Sequence, residues 1–336
     1  MSFWKQLKKP FFVMAPLADV TDPAFRALIA KCGRPDVFWT EFVSADGLYH
    51  MREIQKIPDA ENPLMRDLQY SAAERPIVAQ LFSSKPDMMA YAAELVAKLG
   101  FDGVDINMGC PDRGIERQGC GAAMIKTPEV AVQVIEAARK ASGLPVSVKT
   151  RVGYNKESLD EWLPVLIETK LDALTLHLRT RKEMSLVPAN WEYMKRAVEI
   201  RNRVSPGTLL IGNGDIKDVE DGRAKVLASG ADGAMIGRGM FGNPWVFAGR
   251  KTEDTPLADK LAALLELAYG FEKLQPRKNF AILKKHIKAF VTGFDGAADF
   301  RAKLMQAETA QQLDTLVAEV LHTTAHNTTQ KSYTAR

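Results

Sequence analysis

Eight short apolar runs rich in β-formers recur along the chain, at residues 11–17, 37–43, 77–82, 103–107, 146–150, 173–177, 209–212 and 233–237. Between them lie stretches whose apolar residues return every three or four positions, as at 86–99, 128–141, 158–169 and 219–229. Several open at proline or just after serine, threonine or aspartate, residues that start helices. Alternation of strand and helix through one long region predicts parallel strands joined by right-handed crossovers. Eight such units close on themselves, so the expected fold is α/β, a (β/α)8 TIM barrel over residues 1–250. A doubly wound open sheet is the competing architecture. It is disfavoured because no Gly-x-Gly-x-x-Gly follows the first run, and the nearest glycine cluster, Gly119-Cys120-Gly121, falls in the long loop after the fourth.

After about Pro256 the strand runs stop. The pattern from 257 to about 322 is helical, which predicts an appended C-terminal helical domain at 255–325 and a flexible tail at 326–336. Within it, residues 273–288 (KLQPRKNFAILKKHIK) carry six basic side chains and no acidic one. Such a run reads either as a solvated helix face or as a surface that grips phosphates, here beside Phe271, Phe280 and Phe290.

Composition narrows the class. At 46% hydrophobic and 26% charged residues the chain has the makeup of a packed globular protein. The three cysteines, Cys32, Cys110 and Cys120, form neither an even framework nor a close metal-binding pair, so a reducing, cytoplasmic compartment without zinc is expected. The basic segment Lys5 to Lys9 followed by 11–15 mimics a signal peptide, but the apolar part is too short and Asp19 follows directly; it reads as a first strand. No run approaches the ~18 apolar residues of a membrane span. The net charge of +4 permits an anionic partner without requiring one.

Candidate chemistry gathers where the strands are predicted to end. The fourth run stops at Asn107-Met108-Gly109-Cys110-Pro111, whose turn residues leave the Cys110 sulfur at a strand's carboxyl end, the face where barrel enzymes put their active sites. Alone, Cys110 reads more readily as a buried structural cysteine. Its neighbours shift the balance. Ala15-Pro16-Leu17, Gln80, Lys149, Arg151, His177, Arg179, Asn213-Gly214-Asp215 and Gly237-Arg238-Gly239 all fall at strand ends on the same face. Glycine in the last two loops lets backbone N–H groups approach a phosphate, and Arg238 adds a planar cation, so a phosphorylated ligand is expected: a sugar phosphate, a nucleotide or flavin mononucleotide. Lys149 beside a flavin would stabilise the anionic reduced ring, and Gln80 could hydrogen-bond its uracil-like edge.

The segments MAPLADVTDPAFR, VAQLF, VDINMGCP, GCGAAM, VKTRVG, HLRTR, GNGDI and IGRGMFGNPW, spread over residues 13–247, resemble the tRNA-dihydrouridine synthases, FMN-dependent barrel enzymes; Leu178 departs from the glycine usual after the histidine. The region around Lys285 and His286 resembles that family's RNA-binding bundle more weakly. The resemblance implies reduction of the C5–C6 double bond of uridines in tRNA, with NADPH (or NADH) supplying electrons through FMN. It implies that Cys110, not Cys120, is catalytic: as proton donor to C5, a thiol that must stay protonated. It assigns the cofactor to Ala15, Pro16, Leu17, Gln80, Lys149, His177, Asn213, Gly214, Asp215, Gly237 and Arg238. The substrate falls to Asn107, Arg151 and Arg179, with Lys284, Lys285 and Lys288 on the tRNA backbone. A monomer without metal or membrane partners is expected. The rivals are an FMN-dependent barrel reductase of a small molecule, similar to dihydroorotate dehydrogenase, and an RNA-binding relative without turnover.

Overall fold

The computed structural model describes residues 2–294 and 296–319. Its strands are β1 (Phe11–Met14), β2 (Phe38–Trp39), β3 (Val43–Ser44), β4 (Ile77–Phe82), β5 (Gly103–Met108), β6 (Val146–Arg151), β7 (Ala173–His177), β8 (Leu209–Asn213) and β9 (Gly233–Ile236). All pairings are parallel, in the order β1-β9-β8-β7-β6-β5-β4-β2, with β3 also on β4. A bridge between Val13 and Val37 closes the ring. At that seam the Asp36 amide donates to the Phe12 carbonyl (2.8 Å), while the Asp36 carboxylate accepts from the Phe12 amide (2.7 Å). The eight staves expected from the sequence therefore form a (β/α)8 barrel.

Two strand expectations need correction. The first stave ends at Met14 rather than at residue 17, because Pro16 has no N–H and the Leu17 amide donates to the Thr21 hydroxyl instead (2.9 Å). The second, expected at 37–43, is split into β2 and β3. Between them the Thr40 hydroxyl accepts from the Gln80 amide (3.0 Å) and donates to the Glu41 carbonyl (2.8 Å), so a side chain replaces a ladder bond.

The helices are α1 (Pro23–Cys32), α2 (Ala45–Tyr49), α3 (Pro63–Asp67), α4 (Pro86–Lys98), α5 (Arg113–Glu116), α6 (Pro128–Ser142), α7 (Leu159–Glu168), α8 (Glu192–Val204), α9 (Val219–Ser229), α10 (Leu257–Glu272), α11 (Lys284–Phe290) and α12 (Ala297–Leu304). Their ends follow local chemistry: Asp22 and Asp218 cap α1 and α9 through the amides of Phe25 and Asp221, and left-handed Gly143 and Gly230 stop α6 and α9.

Helices α10 to α12 share one apolar core with the barrel. His286 of α11 is buried with its ring 4.8 Å from that of Phe25 and 6.0 Å from that of Phe241. Lys278 is also turned inward: its side chain is 5% exposed, with Nζ 2.7 Å from Glu41 and 3.5 Å from Asp67. The 273–288 segment is thus not uniformly a surface; one of its six cations is an internal tie to the barrel. The expected tail at 326–336, and the end of the expected helical domain at 320–325, lie outside the described residues.

Candidate active site at the carboxyl end of the barrel

Cys110 is held by a loop bonded on every side. The Asn107 side-chain oxygen accepts from the amides of Gly109 (3.1 Å) and Cys110 (3.0 Å), folding the chain back on the end of β5. The Cys110 carbonyl accepts from the Ala122 amide (2.9 Å), and Gly121 crosses so near that a Cβ on it would sit 2.6 Å from that carbonyl. Arg151 Nε donates to the Gly109 carbonyl (2.7 Å), and its Nη1 ties the carbonyls of Thr180 (3.0 Å) and Met184 (2.9 Å), joining the loops after β5 and β7. Burial pushes the Cys110 thiol up, against the smaller pull of the Asp112 amide and of the charges on Lys149 and Arg151. The group at this position is a thiol at neutral pH.

Beside it opens a cavity lined by Ala15, Pro16 and Leu17 after β1, Lys149 and Arg151 of β6, His177 and Arg179 at the end of β7, and Ser185 in the following loop. Asn213, Gly214, Asp215 and Ile216 from β8, and Met235, Gly237 and Arg238 from β9, complete it. Among the described residues Lys149 has no hydrogen-bonded or ion-paired partner; burial, then the Arg151 charge, brings its pKa down to about 8. Burial and the surrounding Lys149, Arg151, Arg179 and Arg238 hold His177 well below the usual histidine range, so it is neutral. Asp215 bridges Arg179 and Arg238 (2.5 Å to the latter) and also accepts from the Ala189 amide (2.8 Å). The hydrogen bond from Arg179 leads in holding its carboxyl below the usual range.

Backbone shape accompanies this charge. Gly214 at φ 131° and Asp215 at φ 49° are left-handed, and a Cβ on Gly239 would fall 2.3 Å from the Lys217 carbonyl, so the loops after β8 and β9 meet backbone to backbone. With four cationic side chains and one carboxylate around the cavity, the donor set fits an anionic, phosphate-bearing group.

Of the residues singled out from the sequence, twelve (Ala15, Pro16, Leu17, Lys149, Arg151, His177, Arg179, Asn213, Gly214, Asp215, Gly237 and Arg238) surround this one cavity. Gln80 and Asn107 are buried in the barrel, bonded to each other (3.2 Å), and Cys110 stands at the rim of the same face rather than in the lining. Lys284, Lys285 and Lys288 lie on α11, with Lys285 Nζ 3.4 Å from Asp19 in the loop after β1. Sequence reasoning missed Ser185, Ile216 and Met235. Ser185 sits in a loop without periodicity, whereas Met235 could have been found two positions before Gly237, on the same side of its strand.

The match to known proteins now bears on this geometry. The family model described as "Dihydrouridine synthase (Dus)" covers residues 13–328. The chain belongs to the dihydrouridine synthase family. It is 39% identical over 321 residues to a protein of Staphylococcus aureus (strain COL) named "Probable tRNA-dihydrouridine synthase", spanning 95% of each chain. It is 40% identical over 321 residues to "Probable tRNA-dihydrouridine synthase 2" of Bacillus subtilis (strain 168), spanning 94% of this chain and 95% of that one. Among solved structures, a morphinone reductase N189A mutant in complex with tetrahydroNAD aligns over 73% of this chain and 87% of its own at a TM-score of 0.51 and 13% identity, a likeness of barrel fold. Family membership and fold thus agree with the strand-end motifs, from VDINMGCP at β5 to IGRG after β9.

Proposed function

We propose that this chain is a tRNA-dihydrouridine synthase that reduces the C5–C6 bond of uridine in tRNA, using FMN bound in the strand-end cavity and NADPH as the reductant. The observation that carries the reading is a half-buried, protonated thiol at the end of β5 beside a cation-rich cavity, in a chain matched to the family from end to end of its barrel. Arg238 and the backbone of Gly214 and Gly237 would hold the phosphate, and Lys149 would face the ring edge where negative charge collects. Ala15, Pro16 and Leu17 supply the wall after β1 and His177 a neutral polar face. Gln80 and Asn107 act from behind the cavity. Bound flavin would supply the two-electron reducing equivalent that the side chains lack.

The chain's own part in the reaction is protonic and positional. Cys110 Sγ–H delivers a proton to C5 of the uracil, which requires the thiol form that burial favours. Arg151 fixes the loop that carries it. Asp215 orients Arg179 and Arg238 while leaving a net positive field for an anion. The target base leaves its stack to reach a barrel mouth, and Lys284, Lys285 and Lys288 grip phosphates outside it.

Cys110→Ala is the direct test. Dihydrouridine in tRNA, read by mass spectrometry, falls at least a hundredfold, while NADPH still bleaches the flavin absorbance. Turnover at full rate in the variant sinks the assignment. Reduction of a free pyrimidine at the rate seen with tRNA, in the absence of RNA, would favour the small-molecule rival, and a purified protein that takes up no flavin would favour the silent RNA binder.

A further inference from the structure

Asp105 lies on β5 two residues before Asn107, on the same inward face of the strand, and is completely buried. Its two oxygens are spent separately. Oδ1 accepts from the Ser147 hydroxyl (2.6 Å) and Oδ2 from Gln80 Nε2 (2.7 Å). Gln80 Oε1 then accepts from Asn107 Nδ2 (3.2 Å), and Asn107 Oδ1 accepts from the amides of Gly109 and Cys110. This is an uninterrupted chain from a carboxylate in the barrel interior to the backbone of the thiol-bearing residue.

The chain has a single consistent direction, fixed at both ends. The amides of Gly109 and Cys110 can only donate, so Asn107 must turn its oxygen to them and its NH2 group to Gln80. Gln80 must then present its oxygen to Asn107 and its NH2 group inward, where it needs an acceptor with no proton of its own. An ionised carboxylate is such a group. Burial brings the pKa of Asp105 up to about 6, which leaves it ionised at neutral pH. An apolar residue there would leave a buried Gln80 N–H without a partner and free both amides to reorient.

We propose that Asp105 is a positioning residue for Cys110: by accepting from Gln80 it fixes the orientation of the Gln80 and Asn107 amides and thereby seats the Cys110 loop. The role deepens the reading of Cys110 as proton donor and rests on it for its catalytic meaning, but the seating itself is measured without turnover.

The experiment is the pH profile of Cys110 alkylation by iodoacetamide in the purified full chain, followed peptide by peptide so that Cys32 and Cys120 are counted apart. Asp105→Leu removes the acceptor at similar size. The released loop exposes the sulfur, so its alkylation at pH 8 quickens at least threefold and the profile moves to lower pH, as expected when burial no longer holds the thiol up. Asp105→Asn retains an acceptor oxygen for Gln80 and stays within twofold of the parent. Gln80→Met cuts the same chain one link further on and reproduces the Asp105→Leu change, which keeps the test available if that variant does not fold. In an Asn107→Ala background, Asp105→Leu adds nothing further. An unchanged profile in Asp105→Leu or Gln80→Met, or an effect that adds in full to Asn107→Ala, overturns the proposal. None of these outcomes depends on the reaction catalysed, whereas the Cys110→Ala assay fails or succeeds on the reaction alone.

Discussion

At Lys149 an ammonium group stands inside the barrel with Arg151 near it and no direct partner among the described residues, and burial brings its pKa down to about 8. Its attraction for the electron-rich N1–O2 edge of a flavin ring is therefore present below that pH and fades above it. FMN affinity of the apoprotein, measured by fluorescence titration, is expected to weaken as pH rises from 7 to 9. Lys149→Met should bind about tenfold more weakly at pH 7, ~1.4 kcal/mol, and lose that step. His286 shows the same burial effect on stability. Folding lowers its pKa from 6.5 to about 4, so the unfolded chain takes the proton first as pH falls. Stability from this group is intact above pH 6.5 and drains between 6.5 and 4, by about 2 kcal/mol at pH ~5. His286→Gln does not titrate, so the melting temperature of the parent should fall relative to that of the variant across this window. An unchanging gap would mean that the imidazole is solvated.

The turn from β5 into α5 was legible because its signals are local: an apolar run, then Asn107, Gly109 and Pro111. The second stave was not, because the tasks of Thr40 and Glu41 are set by Gln80 and Lys278, far along the chain. Gly121 marks where one segment leans on another. Its φ is 61° and a Cβ on it would fall 2.6 Å from the Cys110 carbonyl, so it admits no side chain without movement. Gly121→Ala is expected to cost about 1–3 kcal/mol in thermal or denaturant unfolding and to displace the Cys110 loop, raising the alkylation rate of that thiol. A variant as stable as the parent would show that the loop has slack.

Across the whole molecule, the helices after β9 form an extension fused to the barrel rather than a tethered module. Buried His286 seats α11 against Phe25 of α1, and the Lys278–Glu41 pair ties the segment before α11 to the link between β2 and β3. With Lys285 and Lys288 exposed and Lys284 partly so, a tRNA that reaches the cavity would meet these charges. Replacing Lys284, Lys285 and Lys288 together by alanine should weaken tRNA binding at moderate salt and reduce the slope of log affinity against log salt by up to about 3. The flavin content of the purified variant reports that the barrel is intact. Equal affinity for tRNA in a filter-binding or fluorescence assay would move the RNA surface elsewhere.

The sequence by itself determined the number and order of the staves, the residues at their carboxyl ends and the family, because strand periodicity, turn residues and contiguous motifs are written over a few neighbouring positions. Only the tertiary structure decided which of those residues meet and in what charge state. Asp215 lies between Arg179 and Arg238, Lys278 is drawn inside, and Gln80 and Asn107 are joined to Asp105. Each of these arrangements needs strand pairing, or the docking of the C-terminal segment, to bring together side chains tens or hundreds of positions apart. Burial then sets the protonation of Cys110, Lys149 and His177, a property of the assembled interior that no local pattern contains.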